Sequence, residues 1–175
     1  MSNSATVPSA ISARSVSPLW LLVLIATITI ATAWYYELYV GFIPCMLCLQ
    51  ERIPYYTGIP VALLALIAAA LGADARIVRL LALIAGVIFL VGAGLGVYHA
   101  GVEWKLWLGP ADCGGRIPSA GGKASDLMAQ MQASRIVSCT DAPWRLVGLS
   151  FAGWNAVISF VLAVLGFKAF AGRSV

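Results

Sequence analysis

Apolar residues fill four long stretches of this chain, and charged residues fall between the stretches: Ser15 to Tyr36, Ile53 to Ala73, Leu80 to Val102 and Leu146 to Phe167 hold no Asp, Glu, Lys or Arg. Each stretch is 21 to 23 residues long, and about 20 apolar residues in α-helical form cross the hydrocarbon core of a bilayer. None alternates strictly with period two, as the strands of a membrane barrel would. Leu, Ala, Ile and Val are abundant in all four, and a helix satisfies its own backbone hydrogen bonds in lipid. The pattern predicts an all-α integral membrane protein, one four-helix bundle over residues 1–175 with helices near 17–36, 48–72, 77–99 and 144–167. A short loop, 37–47, follows the first helix, and a long extracytoplasmic loop, 100–143, lies between helices three and four.

Composition agrees, with 61% hydrophobic residues against 10% charged and a mean hydropathy of +0.93, far from the balance of a soluble domain. The first stretch has a rival reading, since Arg14, the apolar run and Ala31-Thr32-Ala33 resemble a secretory signal and its cleavage site. That run exceeds the roughly 7 to 15 residues of a signal core and ends in Trp34-Tyr35-Tyr36, an interfacial aromatic anchor, so a retained helix is expected.

Four spans put both termini and the 74–79 turn on one side and the two loops on the other. Arg14, Arg76, Arg79, Lys168 and Arg173 crowd the helix ends of the first side; Arg52, Lys105, Arg116, Lys123, Arg135 and Arg145 are spread along the second. Because long loops weigh less in the positive-inside rule, the termini are expected in the cytoplasm and the loops outside it. The net charge of +4 follows from this topology, with one acid, Asp74, on the first side and six on the second, and it does not point to a nucleic acid.

All four cysteines lie in or at the two loops: Cys45 and Cys48 form a C-x-x-C before helix two, and Cys113 and Cys139 stand in the long loop. Three pairings are possible, and local sequence favours Cys45 with Cys48 and Cys113 with Cys139 without excluding the others. Zinc would want a second tight pair or several histidines, whereas the loop cysteines are 26 positions apart and His99 is the single histidine. Leu49 follows Cys48 where covalent haem would require histidine. No metal is therefore expected.

Position argues for reactive thiols. Pro44 suits the first turn of a helix and would set Cys45 and Cys48 at its positive end, where a thiolate is stabilised. Arg52 stands seven residues after Cys45 and four after Cys48, so a continuous helix would align all three and face a cation to the thiolate. The alternative for Arg52 is an interfacial arginine paired with Glu51. His99 ends helix three on the same side, beside Tyr98, Trp104 and Trp107, where an interfacial polar residue is the plainer reading.

Cys45-Met46-Leu47-Cys48-Leu49-Gln50-Glu51-Arg52, the Tyr98-His99 ending of helix three, the two loop cysteines and Trp144 together resemble the disulfide bond formation protein B (DsbB) family, from helix one to helix four. That resemblance implies an inner-membrane, quinone-dependent thiol oxidase that reoxidises a soluble, thioredoxin-like dithiol oxidase of the DsbA kind in the periplasm. It implies that Cys45 and Cys48 hand electrons to ubiquinone or menaquinone, that the partner's thiolate attacks Cys113, and that Cys139 relays to Cys45. Arg52 and His99, with Cys48, are implied as quinone-site residues.

Physical reasoning fits that division. Only an accessible disulfide can be attacked by a thiolate, and a loop offers access to a soluble protein, whereas a lipid-dissolved oxidant meets the chain at bilayer depth. Two rivals stand beside it: a relay like that of vitamin K epoxide reductase, in which the C-x-x-C follows the loop pair instead of preceding it, and a non-enzymatic membrane protein with structural disulfides. Lys123 to Val137 reads either as a short helix resting on the membrane surface or as ordinary surface helix or coil. Gly92-x-x-x-Gly96 is expected to let helices approach closely, with Asn155 and Ser159 bonding between helices as bundle structure.

Overall fold

The computed structural model describes residues 13–110, 135–136, 139–140, 142 and 144–172. Its elements are α1 (Ala13–Leu38), β1 (Phe42–Ile43), α2 (Met46–Ala70), α3 (Ala75–Glu103), β2 (Arg135–Ile136) and α4 (Phe151–Ala171). All four helices among the described residues are long and apolar enough to cross a membrane. The all-α, four-helix membrane architecture read from the hydrophobic pattern is therefore present.

Side-chain and glycine chemistry sets the helix ends. At the close of α2, Ala73 N–H reaches the Ala68 carbonyl at 2.9 Å and Gly72 N–H the Ala69 carbonyl at 3.2 Å. Gly72 takes φ +71°, the left-handed cap that glycine adopts without a Cβ penalty. Asp74 then caps α3, its Oδ1 accepting the Arg76 N–H at 2.8 Å. Residues 144–150, expected in the last helix, are instead a tight turn: Leu146 and Leu149 exchange backbone hydrogen bonds of 2.9 and 3.1 Å around Val147 and Gly148 at φ +53° and +83°. Positive φ at both central positions is the mirror-type turn that reverses a chain within two residues. Ser150 caps α4 after it, Oγ accepting the Gly153 N–H at 3.2 Å.

β1 pairs in parallel with β2, Phe42 opposite Arg135 and Ile43 opposite Ile136. Arg135 and Ile136, at the end of the 123–137 stretch read as surface helix or coil, are strand; the remainder of that stretch lies outside the described residues.

The chain divides into two compact units, Met1–Ile28 with Pro54–Val91 and Ser159–Val175, and Thr29–Ile53 with Gly92–Ile158. In the first, Leu19, Ala65, Leu66, Val78, Ala82 and Ala169 form a buried cluster. Small residues let backbones meet there, and a Cβ on Gly166 would come within 2.6 Å of Gly86 Cα. Tyr55 and Ser159 hydroxyls bond at 3.1 Å, the interhelical polar contact expected of Ser159.

In the second unit Gly96 packs on α4, and a Cβ there would lie 2.7 Å from the Ala156 nitrogen and 2.8 Å from its Cα. Nothing lies within 4 Å of a Cβ built on Gly94. Gly96→Leu is expected to force α3 and α4 apart and lower stability by roughly 1–3 kcal/mol, the usual cost of overpacking. Gly94→Leu should change little. Denaturation midpoints of both variants in detergent check this, and equal midpoints would contradict the close approach.

Candidate functional site

The site is assembled within the second unit, where α2 begins. Helix α2 starts at Met46, so Cys45 is its N-cap and not part of its first turn, as Pro44 had suggested. Cys45 Sγ accepts the Cys48 backbone N–H at 3.3 Å, a sulfur doing what a serine oxygen usually does at a cap. The Cys45 thiol in turn donates to Cys48 Sγ at 3.0 Å. That hydrogen bond and burial push the Cys45 thiol up to about 12, the nearby His99 only partly opposing them. Cys45 therefore holds its proton at neutral pH.

Arg52 is paired with an acid of another helix. Its guanidinium donates to the Glu37 carboxylate of α1, a partner the sequence reading did not consider, and the arginine side chain is only 12% exposed. Glu51, proposed as its alternative partner, faces elsewhere: Oε1 accepts from His99 Nδ1 at 2.7 Å and Oε2 from Asn155 Nδ2 at 3.0 Å. Asn155 was expected as plain bundle structure and instead anchors a site carboxylate.

His99 is buried, not interfacial, at 2% exposure. With Nδ1 engaged by Glu51, its Nε2 lies 3.9 Å from Cys45 Sγ. The aromatic residues near it in sequence do something separate: Trp107 stacks on Tyr98 with centroids 6.0 Å apart and donates Nε1–H to the Tyr98 carbonyl at 2.9 Å. Lys105 at φ +59° ends α3, with Leu106 N–H returning to the Gly101 carbonyl at 2.9 Å.

Cys139 completes the cluster. It is wholly buried and packs with Cys45, Leu47 and Val102, with Cys48 alongside. The ligand atoms of Cys45, His99 and Cys139 all lie within 4.8 Å of one another. Cys45 and Cys48 are free thiols. Cys113, the remaining cysteine, lies outside the described residues. Trp144 is stacked edge-on against Phe151 at 4.5 Å and tilted against Tyr36 at 6.3 Å, an aromatic cluster and not a chemical group of the site.

Besides Glu37, Glu51 and Asn155, sequence reasoning passed over Glu103. It stands one turn after His99 on α3, is buried at 7% exposure, and its Oε2 has no hydrogen-bond partner among the described residues. The signal available was the i, i+4 spacing of His99 and Glu103, which places both on one helix face.

Chemically the arrangement is a dithiol with one proton-holding sulfur, a third cysteine sulfur within reach of it, and a buried carboxylate–histidine pair that fixes the ring. Such a set suits thiol–disulfide exchange, which needs sulfurs able to come into line.

Comparison with known proteins agrees with this chemistry. The family model "Disulfide bond formation protein DsbB" matches residues 15–169. A protein named disulfide bond formation protein B from Marinobacter nauticus is 32% identical over 154 residues, covering 83% of this chain and 86% of that protein. The uncharacterized protein RP370 of Rickettsia prowazekii is 30% identical over 144 residues, covering 82% of this chain and 80% of its own length. No solved structure matches the chain. With the family model spanning all four helices and the thiol cluster, the chain belongs to the disulfide bond formation protein B family.

Proposed function

We propose that this disulfide-forming membrane oxidoreductase reoxidises a soluble, thioredoxin-fold dithiol oxidase outside the cytoplasm and passes the electrons to membrane quinone. The observation that carries the reading is the burial of Cys139 against Cys45, its sulfur within 4.8 Å of the Cys45 sulfur although 94 positions separate them. A structural disulfide loop has no need to bring a loop cysteine to the C-x-x-C; a relay does.

The exchange balances as follows. The partner's thiolate attacks Cys113 in a Cys113–Cys139 disulfide, and its second thiol resolves the mixed disulfide, leaving Cys113 and Cys139 reduced and the partner oxidised. Cys139 then attacks Cys45 of the Cys45–Cys48 disulfide, and Cys48 leaves with the electron pair. Cys113 attacks Cys139 in the resulting Cys45–Cys139 bond, restoring the loop disulfide and leaving Cys45 and Cys48 as a dithiol. Cys45 is the sulfur attacked, which fits a group that keeps its proton when reduced.

Cys48, half-buried and flanked by Arg52 one turn along the same helix face, would hold the quinone, with His99 behind Cys45. Bound quinone supplies a two-electron, two-proton acceptor. The protein's own part is to hold the dithiol there, keep the proton on Cys45 and orient His99 through Glu51. The sequence order, with C-x-x-C ahead of the loop pair, sets this apart from a relay like that of vitamin K epoxide reductase.

Oriented vesicles test both the reaction and the sidedness, which the basic residues beside helix ends support. A reduced thioredoxin-fold dithiol, unable to cross membranes, is expected to drive reduction of incorporated ubiquinone or menaquinone in right-side-out vesicles and not in inverted ones. Activity confined to inverted vesicles would overturn the topology, and no quinone reduction in either would overturn the reaction.

A further inference from the structure

We propose that the fully reduced protein binds a thiophilic divalent cation, zinc or its analogue cadmium, through Cys45 Sγ, Cys139 Sγ and His99 Nε2. These three atoms lie within 4.8 Å of one another, and every one of the residues is buried. The sequence spacing argued against zinc because no second tight cysteine pair or histidine cluster exists, but the fold itself supplies the grouping, drawing ligands from positions 45, 99 and 139.

The donor chemistry fits. Two thiolates and an imidazole are the set zinc prefers, at about 2.3 Å to sulfur and about 2.0–2.1 Å to nitrogen. Donors at those distances around a tetrahedral ion stand roughly 3.5–3.8 Å apart, and His99 Nε2 already lies 3.9 Å from Cys45 Sγ. Small side-chain rotations close the remainder.

The surroundings of the histidine are those of a metal ligand. Glu51 Oε1 lies 2.7 Å from Nδ1, placed to accept a hydrogen bond from the Nδ1–H of the neutral ring, the tautomer whose Nε2, on the Cys45 side, can bind a cation. Asn155 in turn holds the other Glu51 oxygen at 3.0 Å, so the outer shell is itself anchored. Two thiolates add negative charge, which the amino end of α2 offsets at Cys45. Cys48, its Sγ 3.0 Å from that of Cys45, stands nearest for the fourth position.

Binding needs no redox change: the cation displaces the protons of Cys45 and Cys139 into solution, as coordinating thiols lose theirs. It is state-dependent, because either a Cys45–Cys48 or a Cys113–Cys139 disulfide removes a donor. The metal would thus capture protein whose dithiols go unoxidised and hold both relay sulfurs out of exchange. The site depends on the thiols being reduced and not on any quinone or partner, so its failure would leave the proposed relay standing.

Cadmium titration of the purified full chain, reduced anaerobically and freed of reductant, is the experiment, read by thiolate-to-metal absorption with zinc as competitor. One cadmium per chain is expected in the reduced protein and none in the oxidised. Cys139→Ser and His99→Asn should each weaken binding at least about ten-fold, and Glu51→Gln, which leaves all ligands in place, by about 10–100-fold. X-ray absorption of zinc-loaded parent protein, which requires no variant to fold, should show a mixed sulfur and nitrogen shell. Equal binding by oxidised protein, undiminished binding by Cys139→Ser or His99→Asn, an all-sulfur shell, or no binding would each overturn the site.

Discussion

Cys139→Ser protein mixed with the reduced soluble partner, its second cysteine replaced by serine, is expected to accumulate a covalent adduct through Cys113, whereas Cys113→Ser protein should form none and, with the intact partner, lose turnover to background. With Ser at position 139, resting Cys113 has no loop partner, but once it is oxidised onto the C-x-x-C or by added oxidant, the partner's thiolate can still attack it. The resulting mixed disulfide then has neither the partner's second thiol nor a neighbouring Cys139 sulfur to resolve it. Removal of Cys113 deletes the sulfur under attack, and the buried Cys139 offers the soluble protein no substitute, since exchange requires access. Purely structural disulfides predict something different for both variants: a stability loss of about 2–5 kcal/mol and no adduct. Non-reducing electrophoresis separates the two readings, and an adduct absent from Cys139→Ser protein would remove Cys113 from the relay.

How far the fold could be read from sequence depended on the kind of interaction that sets each feature. Four spans were legible because lipid imposes a long, uncharged run on any helix that crosses it. Ends were not, since local capping decides them. The Leu146 to Gly148 segment looks like helix by hydropathy, yet the chain turns there, and the only hints were Gly148 and the potential cap Ser150. Likewise Cys45 was read into α2 through Pro44, when its sulfur is the cap that starts the helix one residue later.

The site divided in the same way. Cysteine positions and the Arg52 spacing were visible in one dimension, and the structure gathers Cys45, Cys48, Cys139 and His99. Partners were not visible: Glu51 meets His99 across 48 positions and Arg52 meets Glu37 across 15. Pairing of buried charges is a tertiary solution to desolvation, and sequence shows which residues need partners without showing which they find. The nearest acid to Arg52 in sequence, Glu51, proved to serve the histidine.

Cys45→Ser protein loaded with quinone is expected to show a visible absorption band that the parent lacks. In the parent, the Cys45 thiol donates its hydrogen bond to Cys48 Sγ at 3.0 Å, and in the oxidised cycle the two sulfurs share a bond. Serine at 45 can form no disulfide, so Cys48 stays a free sulfur at the amino end of α2, and a hydroxyl can still donate to it. An ionised sulfur touching an electron-poor quinone ring has a high-energy electron pair to share, which produces charge-transfer absorption; a thiol does not. Acidification should therefore bleach the band. Arg52→Gln in the same background removes the cation one turn away and leaves the Glu37 carboxylate, now unpaired, on the same side. The band should then weaken, because the nearby cation that favours negative charge on that sulfur is gone. Glu37→Gln frees the guanidinium and should keep the band. Absorption spectra of the three proteins over pH decide the matter: no band in quinone-replete Cys45→Ser protein, or a band indifferent to Arg52→Gln, would place the quinone elsewhere than at Cys48 and Arg52.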